Sequence, residues 1–103
     1  MARIFLHDEA DADLAAIEDY LTVEAGSRIA GRSLNRIVEK PQTLALFPSL
    51  GRIREDLAGS PRSFAVAPWI VFYEALPNGD GIAVWHILHG RRDLPATIRA
   101  PRR

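Results

Sequence analysis

A chain of 103 residues, 48% hydrophobic and 25% charged, has the apolar material for one core and too little length for two, and its balance argues against a disordered chain. Zero cysteines exclude disulfides, thiolate metal sites and cysteine nucleophiles together. No apolar run approaches the roughly 18 residues of a membrane span and residues 1–13 lack the plan of a secretory signal, so a single cytoplasmic domain with no membrane partner is expected.

The formal net charge of zero conceals a polarity along the chain. Residues 1–26 carry one base, Arg3, against seven acids, a net of −6, so the remainder carries +6. Twelve of the 13 bases are arginine, Lys40 being the exception, and five fall in the last 13 residues: Arg91, Arg92, Arg99, Arg102 and Arg103. A basic C-terminal end suits an acidic partner or nucleic acid, or serves only as a solvated tail.

Taken in order, Arg3 to His7 predicts a short strand, with Ile4, Phe5 and Leu6 as a buried run. Asp8 is placed to cap a following helix, and Glu9, Asp11 and Asp13 favour its positive end. Ala10, Leu14, Ile17 and Leu21 recur at spacings of four, three and four, giving one apolar stripe opposite the acids. Gly26 terminates it. Ser27 then caps a second helix with Ala30, Leu34, Ile37 and Val38 on one face and Arg28, Arg32, Arg36 and Lys40 on the other, forming a helical hairpin with one acidic and one basic outer face. Pro41 is expected to kink this helix or begin a separate turn through Leu44, Ala45 and Leu46. Residues 49–61 read as a loop or irregular segment, and the helical region ends by Phe47-Pro48.

The second half is rich in strands. Ser63 to Val66 and Trp69 to Leu76 are strand-like, the latter by its aromatic and branched residues. Pro77-Asn78-Gly79-Asp80-Gly81 is a turn, since Asn and Gly tolerate the positive φ that tight hairpins need. In Ile82 to Leu88 both alternating sets hold large apolar residues, which predicts a central strand. It runs into His89-Gly90-Arg91-Arg92-Asp93, where two adjacent arginines at a strand end make a placed contact surface. The order is β-α-α-β-β-β: an α+β fold with the helical hairpin packed on a small, mainly antiparallel sheet. Residues 94–103 hold Pro95 and Pro101 and are expected to be an irregular basic tail.

Phe47-Pro48-Ser49-Leu50-Gly51-Arg52, Trp69-Ile70-Val71-Phe72-Tyr73-Glu74 and His86-Ile87-Leu88-His89-Gly90-Arg91-Arg92-Asp93 carry a resemblance. With the early Asp13, Leu14, Ile17 and Tyr20 pattern, they make the chain resemble the ParE branch of the ParE/RelE toxin superfamily over nearly its whole length. The resemblance implies a small bacterial toxin, neutralised by a cognate antitoxin that wraps a flexible segment across its surface. It implies gyrase as the target for ParE-like members and ribosome-bound messenger RNA for RelE-like ones. An inactive remnant that only binds antitoxin is a further alternative.

Residue chemistry separates the two branches in part. Metal-free RNA cleavage needs a base for the ribose 2′-hydroxyl, an acid for the leaving oxygen and cations for the developing charge. Arg52, Arg62, His89 and Arg91 are the candidates for that ribonuclease alternative. No tyrosine follows Tyr73 and no lysine follows Lys40, and arginine stays protonated, so His89 would carry the proton chemistry alone. A non-catalytic inhibitor is therefore the preferred reading, with Arg91, Arg92, Arg52, Arg54 and Arg62 as target-binding candidates. A partner covering the protein implies an exposed apolar groove, for which Leu44, Phe47, Leu50, Ile53 and Leu57 are candidates.

His86 and His89 lie three apart on a strand, which points them to opposite faces, and no acidic ligand pattern joins them or His7, so no metal is expected. Trp69 and Trp85 are expected to pack in or beside the sheet; stacking on bases is the alternative. Gly51-Arg52 and Gly90-Arg91 open no helix with a lysine, so no nucleotide cofactor is expected.

Overall fold

The computed structural model describes residues 2–90. Strand β1 (Arg3–Leu6) leads into helix α1 (Asp8–Ala25) and helix α2 (Ser27–Leu46). A 3-10 turn at Pro48–Leu50 precedes β2 (Arg52–Ile53), β3 (Arg62–Val66), β4 (Trp69–Ala75) and β5 (Gly81–His89). The strands form one sheet in the order β1-β5-β4-β3-β2, with β1 parallel to β5 and the other pairs antiparallel. The helical hairpin lies on one face.

The stripe read on α1 is the one that packs: Ala10 and Ile17 are buried, with Leu14 and Leu21 against the same core. From α2 come Ile37, Leu44 and Ala45, and from the sheet Val66, Trp69, Val71, Tyr73, Ile82, Val84 and Ile87. The opposite face carries a smaller core of Phe72, Trp85 and Leu88 covered by Leu57. Strand β5 is therefore central and buried on both sides, as its two apolar alternations predict, and both tryptophans pack against the sheet. Trp85 Nε1 is buried with no hydrogen-bond partner among the described residues.

Five local expectations are corrected. Ile4 and Phe5 are exposed rather than part of a buried run, because β1 is an edge strand with β5 on one side only. The position before α1 is His7, with no side-chain cap, and Asp8 is the first helical residue, so the first-turn acids act through the helix dipole alone. Ser27 likewise does not cap α2. Gly26 alone separates the helices: at φ 86° its N–H donates to the Thr22 carbonyl and its carbonyl accepts from Ala30, closing one helix and opening the next. A one-residue corner needs that positive φ, which glycine adopts without a Cβ penalty.

Pro41 does not end α2, which runs unbroken to Leu46. A proline in a helix interior costs about 3 kcal/mol. Its ring is buried here, beside Leu6, Leu14 and Ile37, and the turn beyond it buries Leu44 and Ala45; two such anchored side chains offset a cost of that size. The segment read as irregular contains β2, whose register pairs Arg52 with Ser63 and Ile53 with Arg62. Two residues are too few to show a period. At the β4–β5 turn both Asn78 (φ 60°) and Gly79 (φ 71°) take positive φ, as the Asn-Gly sequence predicts.

Candidate functional site

The turn after α2 is held to the sheet by two side chains. The Tyr73 hydroxyl, on a ring with no solvent exposure, donates to the Pro48 carbonyl at 2.6 Å and accepts from the Gly51 N–H at 2.8 Å. Arg62 on β3 donates to the Gly51 carbonyl at 2.7 Å. Gly51 is obligatory for this approach, because a Cβ there would collide with the Tyr73 ring and hydroxyl. The Pro48 to Arg52 pattern is thus a docking device, with its receptors in Tyr73, two strands away, and Arg62.

The clamp presents three large apolar side chains to solvent: Phe47 at 60% exposure, Leu50 at 53% and Ile53 at 49%. Leu46, preceding them, is also exposed. The other two predicted groove residues are buried: Leu44 in the helix-side core and Leu57 in the opposite core. Neither offers a contact surface, because each is consumed in packing.

The predicted arginines separate in the same way. Arg54 grips Asp56 through Nε at 3.0 Å and Nη2 at 2.8 Å and lies over the Phe72 ring. This hydrogen bonding holds the Asp56 carboxyl below its ordinary range. Arg62 is engaged by backbone carbonyls. Arg52 lies on the exposed edge strand β2; its side chain makes no hydrogen bond or ion pair among the described residues, although its charge helps to hold the Asp56 carboxyl down. Arg91 and Arg92 lie outside the described residues, as does the tail from Leu94.

His89 ends β5 opposite Trp69, its ring edge-on to the indole at 5.3 Å. The register runs Arg52–Ser63–Phe72–His86, so three strand spacings and three residues along β5 put His89 roughly 17 Å from Arg52. The sheet does not bring Arg52, Arg62 and His89 to one phosphate. His86 does not join His89 either; its Nδ1 lies 3.1 Å from Asp13 Oδ2. Among the described residues no three histidine or acidic side chains cluster as metal ligands.

Asp13 has a role that its place in an acidic first helix does not announce. The β4–β5 register shifts between Phe72 and Tyr73, and near this irregularity the Ile87 N–H donates to Asp13 Oδ2 at 3.0 Å. The carboxylate of α1 thereby satisfies a backbone donor that the ladder leaves open. Asp13→Ala is expected to destabilise the protein by about 1–3 kcal/mol, the cost of an orphaned buried donor, whereas Asp11→Ala on the solvated side stays within about 0.5 kcal/mol. Urea denaturation of both variants checks the difference.

Residues 4–94 match the family described as the ParE toxin of the type II toxin-antitoxin system parDE. The chain belongs to the ParE toxin family. Toxin ParE3 of Caulobacter vibrioides is 35% identical over 98 residues, which cover 95% of this chain and 96% of that one. A solved structure of the chromosomal ParDE system of P. aeruginosa matches with a TM-score of 0.72 at 24% identity, covering 86% of this chain and 96% of that one. Two helices on a five-stranded, mostly antiparallel sheet are therefore the ParE architecture, and no described helix is long and apolar enough to cross a membrane.

Proposed function

We propose that this ParE-family chain is a toxin that inhibits DNA gyrase by protein–protein binding and is neutralised by a cognate antitoxin seated on the Phe47, Leu50 and Ile53 surface. The observation that carries the antitoxin half is that band itself. Three large apolar side chains stay exposed within seven residues although the segment is anchored by Tyr73 and Arg62, and a rigid apolar surface of this kind suits a partner. The non-catalytic half is supported by the dispersal of the ribonuclease candidates, with Arg62 tied to carbonyls and His89 roughly 17 Å from Arg52.

Expression in bacteria is expected to slow growth, and co-expression of the cognate antitoxin to restore it. Purified protein is expected to inhibit supercoiling by gyrase and to leave ribosome-bound messenger RNA intact. Codon-position cleavage in primer extension that vanishes in His89→Ala would reverse the assignment and make the chain a ribonuclease. Phe47→Ser with Ile53→Ser is expected to weaken antitoxin capture at least tenfold while toxicity persists. Replacing both Arg91 and Arg92 with alanine is expected to abolish toxicity with stability changed by no more than about 1 kcal/mol, whereas removing residues 100–103 has little effect. Growth curves paired with thermal melts separate loss of function from loss of fold.

A further inference from the structure

Between α1 and the ends of β4 and β5 lies an open cleft of about 330 Å³, the lower end of the size range of ligand sites. One wall is a helical ridge of Asp13, Ala16 and Tyr20, spaced three and four apart; the other is Trp69 with His89. Aromatic rings and one carboxylate therefore face a common space. Tyr20 is 57% exposed, although α1 has a packed side available for an aromatic ring. Both tertiary hydrogen bonds of Asp13 fall on Oδ2, which leaves Oδ1 without a partner among the described residues.

Among the described residues, the charges along the helical wall of the cleft have one sign. Helix α1 carries Asp8, Glu9, Asp11, Asp13, Glu18, Asp19 and Glu24 and no base. Glu9 and Glu24 continue the Asp13–Tyr20 ridge at spacings of four, bracketing the cleft with negative charge. Arg36, which reaches the neighbouring turn, is engaged by the Ala67 carbonyl at 2.9 Å. An anion would be repelled by this wall, and a divalent metal would find one carboxylate and one imidazole, fewer protein ligands than such an ion takes. A planar organic cation fits all three features, since guanidinium stacks on aromatic faces and pairs with a carboxylate.

We propose that this cleft receives an arginine side chain of a separate polypeptide, its guanidinium held by Asp13 Oδ1 and flanked by Tyr20 and Trp69. The site lies at the opposite end of the sheet register from Phe47 to Ile53 and does not depend on the toxin reading. It gives α1 a recognition role: the acidic ridge draws a basic segment in, and the cleft selects one side chain from it.

The test is titration of the full-length protein with the peptide acetyl-Gly-Arg-Gly-amide and, separately, with its neutral citrulline analogue, followed by two-dimensional NMR. The arginine peptide is expected to shift the Trp69 indole N–H and the Ile87 and Leu88 amides saturably, with a dissociation constant on the order of a few millimolar. The citrulline peptide is expected to bind at least tenfold more weakly. Asp13→Asn also disturbs the Ile87 contact, so the deciding variants are Ala16→Leu, which fills the cleft from an exposed helical position, and Tyr20→Ala. Both are expected to keep the native spectrum and lose the response. Equal response to the two peptides, no response to either, or a response that survives Ala16→Leu overturns the proposal. A response that emerges only in the Arg91→Gln, Arg92→Gln chain also overturns it, since the chain's own cations would then hold the site.

Discussion

Gly81→Ala is expected to lower stability by about 3 kcal/mol or more, which for a domain of this size is a fall of roughly 12–24 °C in Tm. Gly81 opens β5 at φ 124°, a backbone conformation essentially confined to glycine. It is also the register partner of Arg3 in the parallel β1–β5 pair, and a Cβ at this position would strike the Arg3 backbone. The substitution therefore combines dihedral strain with forced separation of an edge strand from the centre of the sheet. Gly79→Ala is the control. Its φ of 71° carries a conformational cost, but no atom lies within 4 Å of the added carbon, so a loss of about 1 kcal/mol is expected. Scanning calorimetry of the two variants distinguishes close approach from backbone strain alone; equal shifts would mean that β1 yields without cost.

Tyr73→Phe is expected to cost about 1–3 kcal/mol, because it leaves the Gly51 N–H and the Pro48 carbonyl without their buried partner. Hydrogen exchange is expected to accelerate in residues 48–53 while the β4–β5 ladder stays protected. If the exposed band binds antitoxin, its affinity falls with this variant although no contact residue has changed. The same hydroxyl gives a pH signature. Burial pushes the Tyr73 pKa above its ordinary value of 10.0, with the Gly51 N–H and Arg62 pulling the other way. A raised acid pKa means that the folded protein prefers the protonated phenol. The associated stability is fully present below pH 10 and is lost as pH rises through the folded-state pKa. Denaturation of wild type is expected to weaken above pH 10 more steeply than that of Tyr73→Phe; parallel curves would remove Tyr73 from the account.

The amphipathic spacing of Ala10, Leu14, Ile17 and Leu21, the double alternation of β5 and the Asn78-Gly79 turn were legible because each is a local rule acting on neighbouring residues. They were enough to determine an α+β fold with a helical hairpin on a sheet, and the ordered motifs from Asp13 to His89 were enough for the ParE resemblance. The helix limit at Gly26 was legible in the same way, whereas Pro41 was harder, since its local signal has an outcome that depends on burial elsewhere. Pro41 stays helical because its ring and the turn after it pack in the core.

The fates of chemically equivalent side chains were decided only by tertiary structure. Arg52, Arg54 and Arg62 are the same residue within eleven positions, yet one is exposed, one is locked to Asp56 and one holds a carbonyl. Leu50 and Leu57 likewise divide into exposed surface and buried core. Asp13 is one of seven acids in the first 26 residues until a shift in the β4–β5 register supplies the Ile87 donor that singles it out. Sequence determined which elements form, because propensity and period are carried by adjacent residues. Arg54 finds its partner two residues away, but the availability of Arg62 and Asp13 depends on partners 11 to 74 positions distant, which only the folded sheet brings into reach.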